Sequence, residues 1–118
     1  MEKTIVFGSI ALILIYLLIC LIEMTVLQLL RWGDRRECMG ASLKMNAISS
    51  VIGIILLVLF QSPPPWWGLL VAWLLSVLIE SRVLTIIRRE TALLNTWAVL
   101  AANLASYAIL IVPSYLWR

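Results

Sequence analysis

The 118-residue chain contains no histidine. Imidazole chemistry is therefore excluded: there can be no Ser-His-Asp triad, no histidine-bound metal and no histidine proton shuttle. Only two cysteines occur, Cys20 and Cys38, too few for a four-thiolate zinc site. No Asn-X-Ser/Thr glycosylation acceptor exists, because Asn46, Asn95 and Asn103 all lack Ser or Thr two positions on. Charge is scarce. Lys, Arg, Asp and Glu make up 13% of residues, where a soluble domain carries roughly a quarter. No nucleophile stands beside a base and no phosphate-binding glycine loop is present. The sequence thus points away from an enzyme, with no catalytic residue, metal site or cofactor expected.

What is present is apolar. Hydrophobic residues reach 64%, which excludes an ordinary water-soluble globule and also disorder, since disorder needs low hydrophobicity. The solvent expected is lipid, and the lipid bilayer is the first partner implied.

A helix crossing the hydrocarbon core needs about 20 apolar residues. Four segments qualify: about Thr4 to Leu30, Leu43 to Phe60, Trp67 to Ile87, and Leu93 to Trp117. The first is too long for a signal-peptide apolar region of about 7–15 residues, and no small-residue cleavage site follows it, so it is read as retained. The expected fold is all-α: an integral membrane four-helix bundle forming a single transmembrane domain over residues 1–118, with nothing left for a soluble head.

Basic loops set the expected orientation. The first loop carries Arg31, Arg35, Arg36 and Lys44 against Asp34 and Glu37, and the third carries Arg88 and Arg89 with Glu90. The middle loop, Gln61 to Gly68, is uncharged. Both basic loops are expected in the cytoplasm and both termini outside. The formal net charge of +3 is this bias, and no nucleic-acid partner is expected. Trp66, Trp67, Tyr115 and Trp117 mark the outer interface and Trp32 the inner one, while Pro63, Pro64 and Pro65 make a stiff outer corner. Cys20 and Cys38 read as buried small apolar side chains. The Arg31–Gly40 stretch, basic beside a tryptophan, does not exceed ordinary loop bias.

The chain matches itself at a spacing of 57 residues. Residues 12–59 laid on 69–116 give 16 identities in 48 pairs. Many are Leu or Ile, which chance supplies in so apolar a chain. The informative pairs are polar: Glu23 with Glu80, Arg31 with Arg88, Asn46 with Asn103, and Ser49 with Ser106. The expected architecture is two tandem transmembrane hairpins, about residues 4–61 and 66–118, in parallel orientation around a pseudo-two-fold axis along the membrane normal.

Glu23 lies eight residues before Arg31 and Glu80 eight before Arg88, so both sit about 12 Å inside one end of their helices. Asn46 with Ser49, and Asn103 with Ser106, each project from one face of a partner helix at similar depth. An ionised carboxylate there is expensive unless paired, so both acids are expected to face the interior, against the Asn and Ser pairs or Lys44. Arg82 points elsewhere and snorkels. These six residues form the expected intramembrane polar site. It serves either as a titratable, cation-attracting site or as interhelical glue, because both use the same residue types. Gly53, Ala98, Ala102 and Ala105 form the expected helix-packing face. It places helices two and four together near the centre, with one and three peripheral, or else offers an interface to another chain.

Two functions follow. The first is an accessory or structural subunit packing against other membrane proteins, or self-associating, motivated by the small-residue face and the lack of catalytic groups. The second is an oligomeric ion or small-solute transporter or channel using the paired Glu and Asn-X-X-Ser groups. The sequence leans slightly to the first, which needs no unseen substrate.

Overall fold

A computed structural model describes residues 2–60 and 66–116. These residues form helices and tight turns, with no strand among them. Helix α1 spans Glu2–Leu29, α2 Arg35–Phe60, α3 Trp66–Ile87 and α4 Ala92–Ser106. A π-helical turn, Tyr107–Ile111, joins α4 to a short α5, Val112–Leu116. Four stretches are long and apolar enough to cross a membrane: Glu2–Leu29, Arg35–Leu56, Leu70–Ile87 and Arg89–Leu110. The long dimension of 47 Å is close to the about 40–45 Å of a whole bilayer, headgroups included.

Local chemistry explains the helix ends. Trp32 N–H bonds to the Leu27 carbonyl and Arg31 N–H to the Gln28 carbonyl, both at 3.0 Å. This is the Schellman pattern, which satisfies carbonyls that the end of a helix leaves free. Its pivot residue takes the left-handed conformation, usually as glycine; here it is Arg31, with φ of 56°. Helix α2 then starts at Arg35, whereas hydropathy alone starts it at Leu43. The reason is a cap: Asp34 Oδ1 accepts the Glu37 N–H at 2.8 Å, so the charged turns before the apolar run are already helical. At the other turn Arg88 is extended, at φ −142° and ψ 91°, and one 3₁₀ turn, Arg89–Thr91, leads into α4.

The fourth span is not one continuous α-helix. Pro113 has no N–H and its ring crowds the carbonyl four residues back. The turn upstream widens, and Val112 N–H reaches the Tyr107 carbonyl, five residues back.

The helices form a ring. Helix α1 packs on α2 and α4, and α3 packs on the same two. Helices α2 and α4 are therefore diagonal, not a central pair, which corrects the expectation from the small residues. Ala98 and Ala102 are fully buried within the ring and Ala105 is partly buried, but Gly53 marks no close crossing: a Cβ there would meet nothing within 4 Å.

Burial is lopsided. Leu27, Trp32, Cys38, Ala41, Met45, Leu84, Ala98 and Val99 pack into one core at the end that carries the basic turns. By contrast, every residue of α1 from Glu2 to Ile15 is exposed. Both cysteines are buried and free, and Trp32 lies inside this core rather than at a surface. The corner Pro63–Pro65, the side chains of Trp66 and Tyr115, and Trp117 fall outside the described residues.

Candidate functional site

Glu23 comes from α1 and Glu80 from α3, on opposite corners of the ring. Each is only 1% exposed, so its carboxyl must find partners within the protein. Glu23 Oε2 accepts from Asn46 Nδ2 at 2.6 Å, and Glu23 Oε1 accepts from Ser106 Oγ at 2.8 Å. Glu80 Oε2 accepts from Asn103 Nδ2, and Glu80 Oε1 accepts from Ser49 Oγ at 2.8 Å. Each acid thus takes its amide from the neighbouring helix of its own half and its hydroxyl from the other half. The four bonds join α1 to α2, α2 to α3, α3 to α4 and α4 back to α1.

The amides are held for this task. Asn46 Nδ2 also donates to the Ser42 carbonyl at 2.9 Å, and Asn103 Nδ2 to the Val99 carbonyl at 3.1 Å. Both protons of each amide are thereby used, one on the helix's own backbone and one on the acid. All six residues of the expected polar site come together, and polar positions that match in the sequence make matching bonds. Lys44 takes no part: it is exposed and lines a separate groove beside Trp32 and Arg88.

Each carboxyl oxygen accepts one bond and has capacity for a second. Both acids border a cavity of about 220 Å³, together with both Asn-X-X-Ser pairs and also Ser50, Ser76 and Tyr107. Among the described residues, no Lys or Arg lines it. At about 30 Å³ per water, the space holds on the order of seven waters, well below the about 300–1,000 Å³ of sites for drug-sized ligands. Oxygen acceptors without a resident cation suit a small positive solute. No cluster of three or more His, Cys, Asp or Glu that could hold a metal ion occurs among the described residues.

The cavity does not reach the basic end, where a second cluster closes the bundle. Arg88 stacks over the Trp32 ring at 4.2 Å, donates to the Trp32 carbonyl and pairs with Glu37. Trp32 Nε1 donates to Asn95 Oδ1 at 2.7 Å, and Asn95 Nδ2 donates back to the Arg88 carbonyl at 2.8 Å. Thr91 Oγ1 also reaches Asn95 Oδ1, at 3.1 Å. Sequence reasoning takes Arg88 as loop charge, Trp32 as an interface marker and Asn95 only as a failed glycosylation site. The one available signal was that Asn95 is an amide in an otherwise apolar stretch. Arg31, which matches Arg88 in the sequence, stays exposed.

No family model, no curated protein and no solved structure matches this chain.

Proposed function

We propose that this protein is an integral membrane protein that binds a small cation at Glu23 and Glu80 and passes it across the bilayer. The observation that carries the reading is the pair of buried acids, each held by one Asn and one Ser, bordering a shared cavity with no basic side chain among its described lining residues. Glue alone needs no cavity. A cation in it would offset the cost of two carboxylates away from water.

The small-residue face does not favour the accessory-subunit reading. The alanines that motivated a partner interface, Ala98 and Ala102, are fully buried inside the ring. The cavity also lies within one chain, so a second copy is not needed to build the site.

In this reading the chain is two tandem hairpins in parallel orientation, related by a pseudo-two-fold axis along the membrane normal. The matched bonds of Glu23 and Glu80 support that relation. The basic turns lie in the cytoplasm and both termini outside, on the strength of the Lys/Arg bias. The cavity then opens away from the cytoplasm, and the Trp32–Arg88–Asn95 cluster closes the cytoplasmic end.

The test is flux into liposomes holding the purified protein and a cation- or pH-sensitive dye. Small monovalent cations and protons should move. The double variant Glu23→Gln with Glu80→Gln should abolish the flux while helical content and elution volume stay the same. Undiminished flux in that variant would overturn the proposal.

A further inference from the structure

The acid layer is symmetric, but the cavity above it is not. Four positions that match at the 57-residue spacing differ sharply in size: Ser50 against Tyr107, Gly53 against Leu110, Ala72 against Ile15, and Ser76 against Ile19. In every pair the smaller residue belongs to α2 or α3. All four small residues line the cavity. Of their larger counterparts, Tyr107 and Ile19 also line it, while Ile15 and Leu110 do not. The open space beside Gly53, where a Cβ would touch nothing within 4 Å, agrees with this.

Taking the cation-binding reading as its basis, we infer that the cation reaches Glu23 and Glu80 through the cleft between α2 and α3, and that Ser50, Gly53, Ala72 and Ser76 set the largest cation admitted. From α1 and α4 the bulkier Ile19 and Tyr107 border the cavity, while Ile15 is exposed and Leu110 lies off its lining, so no door is assigned to that side. Ser50 and Ser76 supply hydroxyl oxygens along the route, so a small ion can exchange part of its water shell before it meets the carboxyls. The ring gives two equivalent acids, and side-chain size gives them a single door.

Two measurements test this. In the first, Gly53→Cys and Ser76→Cys are compared with Ile15→Cys and Leu110→Cys in proteoliposomes, using a membrane-impermeant cationic thiol reagent. The wild-type chain, whose two cysteines are buried, gives the background. A thiol reacts as thiolate, so the reagent reports water access. The α2 and α3 positions should react at least about tenfold faster than their counterparts. Equal rates on the two sides would overturn the inference.

In the second, Ala72→Ile and Ser76→Ile together give α3 the residues that α1 carries at the matching positions. Flux of small organic ammonium ions should fall at least about tenfold, and protons should be least affected. Unchanged flux of all cations would overturn the size limit. Labelling does not depend on flux. A chain labelled on the α2–α3 side that moves no cation would uphold the route and overturn only the translocation reading.

Discussion

Ser106 and Glu23 stand 83 residues apart and meet at 2.8 Å, hydroxyl to carboxyl, fastening α4 to α1. Ser49 and Glu80 fasten α2 to α3 at the same distance. These are the two bonds that tie one half of the chain to the other within the acid layer. The amide bonds of Asn46 and Asn103 act within a half.

Ser49→Ala and Ser106→Ala should therefore weaken the fold by similar amounts. Interhelical hydrogen bonds in membranes average about 0.6 kcal/mol and reach about 1.7. Each variant should fall in that range, measured by unfolding in mixed micelles with tryptophan fluorescence. A loss in one variant with none in the other would contradict the equivalence of the two acids.

The closed end offers a built-in reporter. Cys38 is fully buried there, its thiol 3.4 Å from the Gly33 carbonyl. Arg88→Ala removes the stacking on Trp32, the bond to its carbonyl and the pair with Glu37 together. Labelling of Cys38 by an impermeant thiol reagent should speed up by about tenfold or more. Gly33→Ala should act the same way, because its Cβ would fall 3.1 Å from Glu37 Cβ and 3.4 Å from Arg88 Nη2. Gly40→Ala, with nothing within 4 Å, is the neutral comparison. Equal labelling of all three variants and the wild type would show that this cluster does not seal the bundle.

Arg31 holds a left-handed conformation at the end of α1, where a side chain is strained and glycine is not. Its side chain is exposed. Arg31→Gly should stabilise the protein by about 0.5–1 kcal/mol, the amount by which the relieved strain exceeds the added freedom of the unfolded chain. A loss of stability on unfolding would mean that the Arg31 side chain anchors the turn.

Much of this molecule was legible before any coordinates. Apolar run length sets the four spans, because lipid tolerates little else. The polar layer was legible because Glu23, Asn46 and Ser49 and their matches are rare residue types at a constant offset, and burial leaves such groups only each other as partners. Other features depend on relations that a linear reading does not carry. Hydropathy is blind to the cap at Asp34, so it starts α2 too late. The small residues of α4 suggested a close pair with α2, but a ring of four helices buries them against α1 and α3 instead. The Trp32–Arg88–Asn95 cluster joins residues as much as 63 positions apart through a turn whose shape no composition reveals.

The widened turn at Tyr107–Ile111 has a consequence for how far the two halves remain comparable. A π turn spends one more residue per revolution than an α turn, so each later side chain is swung by roughly 100° from where a regular helix would aim it. Below Tyr107 a residue of the first half and its counterpart share a bearing. Past it the written correspondence runs on toward the C-terminus while the bearings part, and kinship in sequence stops foretelling kinship in space.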